Sequence, residues 1–172
     1  MTNQSRSLAA LTILASLTAC ASAGSADPAK RQAGGWEITR NMVRFEAPAM
    51  PADMIAAARS SIGQPDIGLL CLKAETAAKD TLAVRLNDVV QLGPEWKIGT
   101  STLKEGKVNF AASFDQPDQG KGEMTITGTL SDIASNLTLI TKGVDFNGTA
   151  TESEMRVQSR HLGECPADAM EQ

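Results

Sequence analysis

Reactive side chains are few in this sequence, and the three cysteines offer its clearest chemistry. Cys20 follows an apolar stretch near the amino terminus, where a thiol could act as a nucleophile that accepts an acyl group. Cys71 and Cys165 lie far apart in the body of the chain, and could pair as a disulfide or stay as two buried free thiols. The compartment in which the protein resides decides between these two states.

The segment before Cys20 has the features of an export signal. After a single basic residue comes an apolar run of about ten residues, over 8–17, which is too short to span a bilayer. Leu17-Thr18-Ala19-Cys20 resembles the lipobox of bacterial lipoproteins, in which the Cys receives a diacylglyceryl group. We predict a lipoprotein signal peptide over residues 1–19, lipid attachment at Cys20 and a membrane partner. The alternative is a secretory peptide that is cut after Ala23, which discards Cys20.

The lipobox resemblance also implies a location. Ala21 stands where an Asp tends to retain lipoproteins in the inner membrane, so we expect the periplasmic face of the outer membrane. A chain without the lipid would be periplasmic or secreted. Both locations are oxidising, and we therefore predict a disulfide between Cys71 and Cys165. Such a bond closes a loop of about 95 residues, which contributes roughly 4 to 5 kcal/mol in the chain-entropy model.

Composition excludes several functions. The net charge is −4, and aromatic residues make up 3% of the chain with no Tyr, so neither a basic nucleic-acid surface nor a stacking platform for bases is expected. A single His excludes sites that need two or three His ligands. We predict no nucleic-acid partner, no cofactor and no metal site. The apolar content of 42% is enough for a packed core.

Two further groups of side chains could perform chemistry but have simpler interpretations. His161 lies near Arg160 and Glu164, yet no nucleophile with a recognisable motif accompanies it, and we interpret it as a solvated His. Met50 and Met54 would share one helical face, as a Cu(I) site requires, but Met is also a common filler of protein cores. We therefore predict no catalytic residue, and we do not expect an enzyme.

The elements that position these residues are mostly β-strands. Apolar residues at helical spacing predict two short helices, over 51–63 and 82–90. From Trp96 onward the period is two, with one apolar and one Thr-rich face, which is typical of an antiparallel sheet with one wet side. The predicted fold class is mainly β: an antiparallel meander that forms a strongly curved sheet or an incomplete barrel, with two short helices before the main hairpins.

The chain is predicted to contain one folded domain. Residues 20–34 are small and polar, and we expect them to be a flexible tether. The β-rich domain then covers residues 35–166, and residues 167–172 form a tail.

The order of several short motifs resembles a known family. Gly35-Trp36-Glu37 opens the domain, Cys71-Leu72 follows, Gly106-Lys107-Val108 belongs to a hairpin, and Gly163-Glu164-Cys165 closes it. This order is similar to that of the bacterial envelope family known as domain of unknown function 3617, over roughly residues 33–165. The resemblance implies a small secreted or lipidated β-rich domain. It transfers no catalytic residue, because members of the family lack an assigned activity.

Members of that family usually carry four cysteines, and the inner pair is missing here. Trp96 and Phe114 occupy the two places, nine residues before and nine after Glu105. Glu105 and Gly106 are predicted to form a tight hairpin turn, so the two rings would lie on facing strands. We expect an aromatic pair where related proteins have a disulfide.

The leading interpretation is a non-enzymatic, lipid-anchored envelope protein that acts by binding or by structural support. The alternative is a lipocalin-like carrier of a small apolar ligand, because Gly34 and Trp36 match the G-x-W pattern of lipocalins. In lipocalins a late Arg covers this Trp, and Arg156 or Arg160 could do so here. A filled core would favour an interaction module that binds an envelope protein. A carrier needs a dry cavity, which we expect to be lined by Ile38, Phe110, Ile126 and Leu139.

Overall fold

The computed structural model describes residues 30–171, apart from 91, 119 and 146. The predicted signal peptide, Cys20 and the first part of the predicted tether lie outside the described residues. Within the described range, no helix is long and apolar enough to cross a membrane.

One eight-stranded sheet dominates the structure. Its strands in chain order are β1 (Gly34–Glu46), β2 (Asp66–Leu72), β3 (Lys97–Lys104), β4 (Lys107–Gln116), β5 (Gly120–Leu130), β6 (Ala134–Val144), β7 (Ala150–Gly163) and β8 (Met170–Glu171). The helices are α1 (Ala52–Ser60), α2 (Ala74–Ala77) and α3 (Leu82–Val90). Across the sheet the order is β3-β4-β5-β6-β7-β1-β2-β8, and all neighbours are antiparallel except β2 and β8. The predicted mainly β, antiparallel class is confirmed, as an open sheet rather than a closed barrel.

Strands β3 to β7 form the predicted meander, because each connects to the next through a short turn. The turn between β3 and β4 has the predicted residues: φ is 52° at Glu105 and 74° at Gly106, as a tight hairpin of this kind requires. Strand β1 does not pair with β3, the first strand of the meander. It lies between β7 and β2, so the first strand pairs with the last long one.

Two elements were not predicted from the sequence. Helix α2 has four residues and β8 has two, and neither is long enough to produce a periodic pattern. Strand β8 falls inside the predicted tail, where Met170 and Glu171 pair with Leu70 and Cys71 of β2.

The core lies between α3 and the apolar face of the sheet. Leu86 of α3 is 2% exposed and packs in one cluster with Phe110 of β4 and Ile126 of β5, which are 2% and 0% exposed. Along β4 and β5 the buried and exposed residues alternate, as the period of two predicts. The period of two that starts at Trp96 predicts Ile98 on the same covered face, but Ile98 is 58% exposed. It lies on the edge strand β3, beside a register shift, so no neighbouring strand shields it.

The predicted aromatic pair is present. The rings of Trp96 and Phe114 are 4.8 Å apart between centroids and inclined by 65°, an edge-to-face arrangement. Gly122 on β5 lies directly against this pair, since a Cβ atom there would clash with the Phe114 ring. The expected pairing of Trp96 with Phe114 is therefore confirmed, and it depends on a register shift between Ile98 and Thr100 that the turn alone did not predict.

We predict that Trp96→Ala and Phe114→Ala each lower the free energy of unfolding by about 2 to 3 kcal/mol, less than the loss for fully buried aromatics because both rings are half-buried. Each substitution removes the same contact, so the double variant should cost less than the sum of the two single variants. Urea unfolding of the four proteins measures this coupling. Ile98→Ala serves as the control at an exposed site, and strict additivity would contradict the prediction.

Candidate functional site

An open cleft of about 600 Å³ crosses strands β4 to β7 at one end of the sheet. Gly122 and Gly143 are partners in the register of β5 and β6, so two adjacent positions inside the cleft have no side chain. Phe114, Val144 and Ala150 add apolar surface. The cleft therefore combines room, a lining of apolar and polar residues, and access to solvent, which are features of a binding site.

Charged residues also line the cleft, and the register places Glu123, Lys142 and Glu152 on the sheet face opposite Phe114 and its partner Gly122. Four carboxylates and two amines line the cleft, and Arg44 beside it pairs with two of the carboxylates, so a small excess of negative charge remains. The carboxylates are those of Glu46, Asp115, Glu123 and Glu152, and the amines are those of Lys121 and Lys142.

Glu152 is the most strongly held of these carboxylates. It pairs with Arg44 and lies 3.4 Å from the Lys142 amine. Desolvation acts to raise the pKa of Glu152, but the hydrogen bond from Arg44 and the positive charges of Arg44 and Lys142 outweigh it and hold the pKa below its ordinary value. A carboxylate with a lowered pKa stays ionised at neutral pH, which suits recognition of a cationic group rather than proton donation.

The second feature of interest is the amino-terminal segment, which is pinned to the domain. Arg31 is 8% exposed and donates to both oxygens of Asp80, at 2.7 and 2.8 Å. Its second ion pair, to Asp88 Oδ2, is 2.8 Å long. The Gln32 backbone N–H donates to the Asp132 carbonyl oxygen, at 2.8 Å. The expected boundary of the tether at residue 34 is therefore too late, because residues 31–34 already belong to the fold.

Burial and charge act against each other in this ion-pair group. Burial acts to lower the pKa of Arg31, but the hydrogen bonds and charge of Asp80 and the charge of Asp88 raise it above its ordinary value. Arg85, which is 5% exposed, donates to the Ser131 carbonyl oxygen at 2.9 Å. Burial, followed by repulsion from Arg31, lowers the pKa of Arg85 to about 10. Sequence patterns did not reveal Arg31 as a buried residue, because it lies in a segment of small and polar residues without periodicity.

The cleft and the pinned segment lie at opposite ends of the same strands. Strand β7 begins beside the cleft at Ala150 and ends beside the amino-terminal segment, where His161 pairs with Trp36 and its amide donates to Ile133. Ten residues of β7 separate Thr151 from His161, or roughly 33 Å at the usual rise of a strand. We call these the cleft end and the pinned end; the pinned end comprises Arg31, Gln32, residues 131–133 and residues 161–163.

The predicted disulfide is present. Cys71 of β2 and Cys165 are bonded, with their Cα atoms 5.1 Å apart. The bond passes over β1, which lies between β2 and β7. At Gly35 a Cβ atom would clash with the Glu164 carbonyl oxygen, so this glycine allows the segment after β7 to cross closely.

His161 is half-buried rather than solvated. Its ring lies 5.4 Å from that of Trp36, and Nε2 lies 2.9 Å from the Ala33 carbonyl oxygen. Neither arginine proposed to cover Trp36 does so: Arg160 forms an ion pair with Glu37 at 2.8 Å, and Arg156 lies 4.0 Å from Glu154. The reason is alternation along β7, which turns residues 156 and 160 to the opposite face from His161.

The residues expected to line a ligand cavity instead fill the core. Phe110, Ile126 and Leu139 are buried in the main cluster, and Ile38 packs against it. A space of about 20 Å³ lies beside them, lined partly by Arg31 and Arg85, which is about the size needed for one water molecule. Among the described residues, no group of three or more His, Cys, Asp or Glu could hold a metal ion. Met54, the second residue of the proposed copper pair, is 54% exposed on α1.

We predict that Arg31→Ala lowers the free energy of unfolding by about 3 to 5 kcal/mol, because it leaves the Asp80 carboxylate buried without its partner. Arg59→Ala removes the same side chain from an exposed position on α1 and should change stability little. Urea unfolding of the two variants provides the comparison. Equal losses in both would show that the pinned segment contributes nothing to stability.

A family model supplies the relation to known proteins. The model described as a protein of unknown function (DUF3617) matches residues 31–165, from the pinned Arg31 to the disulfide-bonded Cys165. No curated protein and no solved structure matches the chain. Because the family model covers well over half of the sequence, the chain belongs to the DUF3617 family of proteins of unknown function.

Proposed function

We propose that this chain is a non-enzymatic, lipid-anchored protein of the bacterial envelope, and that it acts as a binding module through the cleft across β4 to β7. The observation that carries the proposal is the contrast between a filled core and a large open cleft. A carrier of an apolar ligand needs enclosed space, whereas an interaction module needs a stable body with an accessible recess.

The anchor rests on the sequence before the described residues. Leu17-Thr18-Ala19-Cys20 has the order of a lipobox, and the Cys71–Cys165 disulfide supports an oxidising compartment outside the cytoplasm. On this proposal the membrane partner is reached through Cys20, on the periplasmic face of the outer membrane.

The chemistry of the cleft supports a partner with a cationic part next to an apolar part. Glu123 can attract a positive charge, and Val144 and Ala150 lie on the same face of the sheet and can cover apolar surface. Glu123 is the carboxylate best placed to meet a partner, because it is exposed and lies between Ser113 and Lys142 in the register. A cationic segment of an envelope protein fits these properties.

We predict that the native chain is acylated on Cys20 and sediments with membranes. Cys20→Ala should block acylation and move the protein to the soluble fraction, because the apolar anchor is then missing. Mass spectrometry of the intact protein isolated from membranes reports the mass of the amino terminus directly. A mature chain that begins at Gly24 without lipid would overturn the anchor.

We predict that Glu123→Lys abolishes the binding of cationic partners to the cleft, since it reverses the charge at an exposed position of the cleft lining. Glu75→Lys makes the same change of charge on the exposed surface of α2, away from the cleft, and should leave binding intact. Native mass spectrometry of the membrane-extracted proteins measures the mass and occupancy of any bound species. The same occupancy in both variants would place the binding surface outside the cleft.

A further inference from the structure

We propose that the pinned end of the sheet lies against the lipid surface, and that Ile133 and Leu162 touch it. This inference rests on the anchor at Cys20 proposed above. It adds an orientation: the cleft then points away from the membrane, toward the partner.

The first argument is the length of chain between Cys20 and the pinned end. Arg31 and Gln32 are held by Asp80, Asp88 and Asp132, so the path to the membrane starts at the pinned end. The eleven residues from Cys20 to Arg31 can span at most about 40 Å, even when fully extended. The two ends of the sheet are separated by roughly 33 Å along β7. Bringing the cleft end to the membrane would therefore use almost the whole span, whereas the pinned end needs little of it.

The second argument is the apolar surface at the pinned end. Ile133 is 49% exposed and Leu162 is 38% exposed. Their backbones are close, because the His161 backbone N–H donates to the Ile133 carbonyl oxygen at 2.8 Å and Leu162 is the next residue. A single exposed apolar side chain is ordinary on a protein surface. Two adjacent ones at the point where the anchored chain enters the domain favour contact with the lipid surface.

Charge at this end is mixed. The exposed amines are those of Lys30, Lys79, Lys104 and Lys107, and the carboxylates include those of Glu105 and Glu164, which are exposed, and Asp132, which is half-buried. The proposed contact rests on the two apolar side chains, and a zwitterionic phospholipid surface tests it without attraction between net charges.

The two tryptophans of the chain can serve as fluorescent probes, one at each end of the sheet. Trp36 lies at the pinned end, where its indole donates to the Gln32 carbonyl oxygen at 2.9 Å. Trp96 lies at the cleft end, against Phe114. In a chain that starts at Cys20 and carries no lipid, Cys20 supplies the thiol for labelling, because Cys71 and Cys165 are bonded to each other.

The experiment uses a chain that starts at Cys20 and carries no native lipid, and couples it through Cys20 to a maleimide phospholipid in phosphatidylcholine vesicles that contain a dansyl-labelled lipid. Energy transfer from Trp36 is measured in the Trp96→Phe variant, and that from Trp96 is obtained from the difference with the unsubstituted chain. With the two ends roughly 33 Å apart, transfer from Trp36 should be at least about twofold greater than that from Trp96. Equal transfer from the two residues, or greater transfer from Trp96, would overturn the orientation.

A second set of variants tests the apolar contact. Ile133→Glu combined with Leu162→Glu should reduce transfer from Trp36, whereas Ile98→Glu, which changes an exposed isoleucine at the cleft end, should leave it unchanged. Unchanged transfer in the double variant would show that Ile133 and Leu162 do not touch lipid. Because the lipid is attached chemically, these results do not depend on native acylation. An unacylated native chain would refute the anchor, and failure of the vesicle experiment would refute the orientation alone.

Discussion

The buried ion pair between Arg31 and Asp80 holds together parts of the chain that are distant in sequence. Asp80 precedes α3, the helix that covers the apolar face of the sheet, and Arg31 precedes β1, the strand that joins β7 to β2. Asp88 extends the contact along α3. The pair therefore fixes the entry of the first strand relative to the helix that closes the core.

A buried ion pair of this kind is a constraint more than a source of net stability. Removing two charges from water costs several kcal/mol per ion, and the attraction between them offsets this only with good geometry. Arg31 meets that condition because it makes a two-point contact with Asp80 and a further pair with Asp88. An apolar pair of the same size could be as stable, but it would not specify which segments must meet. We infer that these charges specify how the segment before β1 aligns with α3.

A covalent bond stabilises the sheet near one edge, and aromatic packing stabilises it near the other edge. The Cys71–Cys165 disulfide fastens β2 to the segment after β7, while the Trp96–Phe114 pair closes the hairpin of β3 and β4. These constraints make the sheet a stable body with two distinct ends. One end holds the amino-terminal segment, and the other presents a cleft whose charged residues come from several strands. The proposed function uses this polarity, since an anchor and a binding surface interfere least when they lie far apart.

The sequence by itself determined the features that depend on local pattern or on a covalent bond. The alternation in β4 and β5, the position of α3, the Glu105-Gly106 turn and the pairing of two cysteines follow from periodicity, turn chemistry and the small number of available thiols. The turn placed Trp96 near Phe114, and the register shift in β3 brings the two residues opposite each other.

Only the tertiary structure decided the features that join distant segments. The place of β1 beside β7, the burial of Arg31 and the contact between the His161 and Trp36 rings depend on which strands become neighbours, and residue periodicity carries no information on that choice. The cleft has the same origin: Glu123, Lys142 and Glu152 come from three strands and form one row only when the sheet assembles. Local pattern sets the face on which a side chain lies, but pairing between strands sets its neighbours, and a site needs both.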